Sequence, residues 1–143
     1  MAIPPLRFDG HLPEGVYSAT ITEVARRFGS STPRRKVLMK RLTHWVRLSQ
    51  SVGAKRLLID GSFVSAKENP GDVDVIVQTT LMYYSLRARN DKNALELAAI
   101  IDSRKPEELF EVDNNDDWDD WVKFFGINKE FSRVRKGMLE VKL

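Results

Sequence analysis

Cysteine is absent from the 143 residues. That removes a disulfide framework, a zinc–thiolate site and a thiol nucleophile at once. No apolar run approaches the roughly 18 residues needed to cross a bilayer, so no membrane partner is expected. The N-terminal MAIPPLRFDGHLPEG lacks the apolar centre of a signal peptide, and the expected location is the cytoplasm. Histidine is scarce: His11 and His44 stand isolated, and no Gly-x-Ser-x-Gly elbow occurs, which leaves serine-hydrolase chemistry without support. There is no internal repeat and no low-complexity linker. Negative charge is missing from one long stretch. Residues 24–59 hold no carboxylate, whereas Arg26, Arg27, Arg34, Arg35, Lys36, Lys40, Arg41, Arg47, Lys55 and Arg56 crowd the same region. The acidic counterweight lies at 107–120. Such asymmetry fits a polyanion-facing surface or charge pairing within the chain.

What is present is the balance of a globular protein, 42% hydrophobic and 30% charged. The length suits one domain over 1–143. It divides into an irregular arm (1–19) punctuated by Pro4, Pro5, Gly10, Pro13 and Gly15, a helical part (20–53), a central core (55–112), and a C-terminal helix and edge strand (113–143). Thr20 and Glu23 have the spacing of a capping box, and Thr32-Pro33 starts a second helix. In that second helix Leu38, Leu42, Trp45, Val46 and Ser49 make one buried stripe. Thr79 or Thr80 starts a third, and residues 91–101 are helical by pattern. Residues 107–112 fit a strand with Glu108, Phe110 and Val112 on one face and Glu107, Leu109 and Glu111 on the other. Residues 113–117 fail as a calcium loop, because position six is Trp118 and position twelve Phe124. Asp116 and Asp117 instead cap a helix over 118–125. Tyr83 and Tyr84 are expected to pack rather than bind.

The centre of the chain is 57–77, LLIDGSFVSAKENPGDVDVIV. An apolar run fits a buried strand and breaks at Gly61-Ser62. Asn69-Pro70-Gly71-Asp72 fits a type II turn. The next run, from Asp72 to Val77, is rich in β-branched residues and alternates: Val73, Val75 and Val77 to one face, Asp72, Asp74 and Ile76 to the other. Two carboxylates on one side of a core strand repel, and a divalent cation between them removes the conflict. Hard oxygen donors favour Mg²⁺ or Mn²⁺.

An apolar strand, Gly61-Ser62, nine intervening residues and Asp72-Val73-Asp74 together resemble the nucleotidyltransferase superfamily, the fold of polymerase beta and its minimal relatives. Leu12–Gly15 and Asp60–Val64 are similar to small bacterial and phage proteins of that type. The resemblance implies an α/β fold with a small mixed sheet, helices packed on one face and the carboxylates on the other. It implies that Gly61 and Ser62 hold the nucleotide phosphates, with Lys67 as a neutralising cation. It also implies that Asp72 and Asp74 bind Mg²⁺ (or Mn²⁺), and that a third carboxylate completes the site. Glu108 is the choice over Glu107 and Glu111, because it is the charged exception on an apolar face.

The implied activity moves an NMP from an NTP, with ATP the expected nucleotide, to a hydroxyl of a protein or RNA acceptor, in a toxin–antitoxin or phage-defence setting. A homodimer or a cognate toxin or antitoxin is the expected partner. Two competing readings remain: a weak or inactive scaffold acting as antitoxin or adaptor, and a nucleic-acid-binding module built on the basic helix around Arg34 to Arg47.

Overall fold

A computed structural model describes residues 3–103, 108–127 and 135–143. It is mixed α/β. The strands β1 (Val16–Ala19), β2 (Arg56–Asp60), β3 (Asp74–Gln78), β4 (Glu108–Val112) and β5 (Met138–Val141) make one sheet in the order β1-β5-β2-β3-β4. The helices are α1 (Ile21–Phe28), α2 (Pro33–Ser51), α3 (Leu81–Ala88), α4 (Lys92–Ser103) and α5 (Asn115–Phe125). β2 and β3 are antiparallel and joined by a short loop, whereas β3 and β4 are parallel and joined by the α3–α4 crossover.

Local chemistry starts α1 and α2 where it was expected to. Thr20 and Glu23 form the reciprocal capping box of α1. Thr32 accepts a hydrogen bond from the Arg35 N–H with Pro33 in the first turn of α2. α5 departs from expectation: its cap is Asn114, whose side chain accepts from the Asp117 N–H, so the helix begins three residues before 118 and Asp116 and Asp117 lie inside its first turn, where their charge complements the helix dipole.

Both faces of the sheet are covered. Leu57, Ile59, Val75, Val77, Leu109 and Leu139 face the main core with Leu38, Leu42, Trp45, Tyr83 and Leu97. The alternate residues Leu58, Ile76, Val112 and Met138 pack against Trp118 and Phe125 of α5. The expectation of helices on one face is therefore corrected. Residues 57–59 and 75–77 are apolar in both phases of the alternation, which requires cover on both sides.

Two more details differ from expectation. The arm 1–19 contains β1, which begins directly after Gly15 and buries Ala19 alone among its four side chains. β5 is consequently not an edge strand; it lies between β1 and β2. Gly71 does not take the positive φ of a type II turn, because Arg34 holds the Pro70 and Gly71 carbonyls in another conformation.

Candidate functional site

The site lies where apolar alternation stops at one end of the sheet. Asp60 and Asp74 are cross-strand partners, two residues beyond the Leu58–Ile76 pair, so both sit on the α5 side. On the other flank of β3 the backbone register sets Glu108 beside Asp74. Glu111 belongs elsewhere: it accepts hydrogen bonds from Thr79 (2.6 Å) and Tyr84 (2.7 Å). Burial, reinforced by that bond to Glu111, raises the pKa of Tyr84. Glu107 lies outside the described residues. Asp72 and Asp74 are both partly exposed.

Asp60 was not among the residues expected from sequence. It is 3% exposed, its Oδ1 has no hydrogen-bond partner, and Lys136 reaches Oδ2 at 3.5 Å. Burial raises its pKa, with Lys136 pulling in the opposite direction. The signal was available: Asp60 follows Leu58 by two residues and so shares its face.

The next residue fixes the geometry. Gly61 has φ 86° and ψ −168°, a region open essentially to glycine alone. A Cβ there would stand 2.5 Å from Asp74 Oδ2. Glycine thus permits both the sharp exit from β2 and the approach of the Asp74 carboxylate. Ser62 opens a single 3₁₀ turn, Ser62–Val64, whose Phe63 and Val64 drop into the core.

The loop from Gly61 to Asp72 is held from below by α2. Arg35, 3% exposed, donates to the carbonyls of Phe28 (3.0 Å), Phe63 (2.6 Å), Ser65 (2.8 Å) and Lys67 (2.6 Å). Its guanidinium also lies near the faces of Phe28 and Phe63. Burial lowers its pKa below the usual arginine range. Arg34 donates to the carbonyls of Pro70 and Gly71. These two arginines, read from sequence as part of a basic surface, are spent on the loop. Arg35 sits three residues before Leu38 on the same helical stripe, which was the overlooked sign of its burial.

Lys67 is not brought to the carboxylates by any shared cleft. It lines a cleft of about 440 Å³ with Arg27, Thr32, Arg35 and Ser65, to which Asp72, Asp74, Gly61 and Ser62 do not contribute. A second cleft, about 430 Å³, lies at the β4–α5 margin and is lined by Glu111, Asp117, Asp120, Trp121 and Phe124.

By chemistry the donors fit a hard divalent cation: carboxylate oxygens, without thiolate. The buried Asp60 Oδ1 without a hydrogen-bond partner and the glycine apposed to Asp74 are compatible with such a cation. Among the described side chains no group of three or more His, Asp or Glu forms a metal cluster. A three-carboxylate set therefore depends on Glu108 joining Asp72 and Asp74.

A mixed α/β chain with acidic residues at the end of three adjacent strands is the class that fold and site define. The chain belongs to a family of unknown function, DUF6932, whose model matches residues 4–142. No curated protein and no solved structure matches it. No helix among the described residues is long and apolar enough to cross a membrane.

Proposed function

We propose that the protein is a nucleotidyltransferase that moves an NMP from an NTP to a hydroxyl of a macromolecular acceptor, protein or RNA. The observation that carries this reading is the register Asp60–Asp74–Glu108 across β2, β3 and β4, with Gly61 against the Asp74 carboxylate. Asp72, Asp74 and Glu108 would hold Mg²⁺ or Mn²⁺, which when bound neutralises charge at the reacting phosphate. Gly61 admits a phosphate close to the backbone, and Ser62 offers a hydroxyl beside it. Glu108 takes the proton of the attacking hydroxyl. A new O–Pα bond forms, the bond from Pα to the bridging oxygen breaks, and pyrophosphate leaves. The nucleic-acid-module reading loses support because Arg34 and Arg35 serve the loop.

The test is transfer of α-labelled NTP to protein and RNA acceptors with Mg²⁺ or Mn²⁺. Asp72→Asn and Asp74→Asn are each expected to lower transfer at least a hundredfold and to leave the thermal midpoint equal or higher, since neutralising one acid relieves repulsion. Midpoints lower by several degrees in both would assign these carboxylates a structural role instead. A second reading is a scaffold that binds nucleotide without transfer. Metal-dependent nucleotide binding with no label transfer would select it.

A further inference from the structure

We propose that Lys136 is the cation that binds the polyphosphate at the Gly61–Ser62 end of the sheet, and that the buried Asp60 carboxylate is its positioning residue. This rests on the reading of the carboxylate end as a nucleotide site, and it names a residue remote in sequence from the 57–77 stretch.

β5 runs antiparallel to β2 with Ile59 opposite Leu139. Continuing that register by two residues brings Gly137 level with Gly61 and sets Lys136 beside the start of the phosphate loop. The backbone there is pinned on both sides. The Lys136 N–H donates to the Gly126 carbonyl (3.0 Å) and the Gly137 N–H to the Leu12 carbonyl (2.9 Å). A Cβ on Gly137 would run into the Pro13 carbonyl. Position 137 therefore tolerates only glycine, and the lysine before it is presented from a fixed point.

Its side chain is only 16% exposed, yet it meets Asp60 at 3.5 Å, longer than the 2.7–2.9 Å of a charge-assisted hydrogen bond. Asp60 Oδ1 lacks any partner. A buried ion pair of such geometry does not repay the desolvation of its charges. Two half-satisfied charges make sense beside an anion that takes the remaining donors of the ammonium. The acids around it create the need: a triphosphate approaching Asp72, Asp74 and Glu108 is repelled unless fixed positive charge stands at the same end. Lys67 faces the other cleft. Arg35 spends its guanidinium on carbonyls. Lys136 is at the right place.

The probe is inorganic tripolyphosphate, titrated calorimetrically into the full chain with and without Mg²⁺. Lys136→Met is expected to weaken binding at least tenfold. Because it strands the Asp60 charge, the paired variant Asp60→Asn/Lys136→Gln removes both charges at near-constant volume and should show the same loss with a thermal midpoint no lower than wild type. Lys136→Arg should stay within about threefold of wild type, and Lys40→Ala, on the exposed side of α2, within twofold. Asp60→Asn alone should weaken tripolyphosphate binding while leaving the midpoint equal or higher, which a merely structural aspartate would not do. Wild-type affinity in the paired variant, or no tripolyphosphate binding by the wild-type protein, would overturn the proposal. Mn²⁺ binding that persists in the paired variant and disappears in Asp74→Asn would show that the carboxylate reading stands apart from it.

Discussion

Removing the Arg35 guanidinium tests whether α2 holds the loop that the candidate site depends on. Arg35→Met keeps an unbranched side chain but deprives four carbonyls of their donor and the Phe28 and Phe63 rings of the guanidinium. Each charge-assisted bond is worth about 1.5–3 kcal/mol when measured singly. The four do not add, because the adjoining cleft lets water reach part of the cluster once the guanidinium is gone. The expected loss is therefore about 3–5 kcal/mol, that of breaking a buried charged cluster. Against a total stability of roughly 5–15 kcal/mol this is large. It corresponds to a fall in thermal midpoint on the order of 10 °C for a chain of this size. Arg35→Lys keeps the charge but cannot span four acceptors with one ammonium, and about half of the loss should remain. Urea denaturation gives the magnitude, with an unchanged m-value as the check that the unfolded state is the same. Hydrogen exchange at residues 64–67 should rise before global unfolding in the Met variant. A loss under about 1 kcal/mol for Arg35→Met, or exchange in the loop no faster than in α2, would refute the clamp.

Three other outcomes follow from the same structure. Tyr83 is fully buried with an unpartnered hydroxyl, and burial pushes its pKa up to about 12; Tyr83→Phe should therefore stabilise the protein by about 1 kcal/mol in urea denaturation, and a destabilised variant would mean that the hydroxyl has a partner. Gly61→Ala forces a strained φ and drives a methyl into Asp74; it should cost about 2 kcal/mol or more and abolish Mn²⁺ binding even at temperatures where the fold persists, whereas intact Mn²⁺ affinity would separate Gly61 from the acids. Asp60 has a folded pKa raised above its ordinary 3.8, so its contribution to stability is present below that value and is lost as pH rises through the folded pKa. Asp60→Asn should remove that decline in a pH series of denaturation midpoints and be more stable than wild type at pH 7; a parallel pH profile would show that Lys136 fully compensates the charge.

The strands and helices of the central region were legible because each carried two agreeing signals. For α2 these were the Thr32-Pro33 start and an apolar stripe; for β2, an apolar run broken at Gly61-Ser62; for β3, a β-branched run after the Pro70-Gly71 turn. The face assignment on β4 was legible for the same reason: Leu109 packs into the main core, Phe110 and Val112 with α5. What escaped was tertiary. β1 is four residues with one buried side chain, so no hydrophobic period announces it, and it exists because β5 offers an edge. The burial of Arg35 runs against residue-type preference and is set by four carbonyls from α1 and the loop, up to 32 positions away in the chain. Asp60 and Lys136 meet only because β5 returns beside β2. The Pro70-Gly71 turn was misjudged because a type II preference is weaker than the arginine that holds its carbonyls.

The break in alternation at the site end is itself an argument about function. On the α5 side of β2 and β3 the residues read Leu58 and Ile76 at one level and Asp60 and Asp74 two residues further, and the backbone register brings position 108 of β4 level with Asp74. Two adjacent strands thus change from apolar to acidic at the same height. As a structural device this is poor: like charges directly opposite on a sheet destabilise it, and burial of Asp60 adds desolvation. Random surface composition does not explain it either, since Asp60 is not on the surface. Positive charge placed between or beside the acids lowers that repulsion. Lys136 supplies one part from within the chain. A divalent cation would supply more, and the sharp glycine exit at Gly61 lets the Asp74 carboxylate stand against the backbone where that cation would sit. Acids that repel one another across β2 and β3 would then become a reason for the sheet to bind a metal and a nucleotide together.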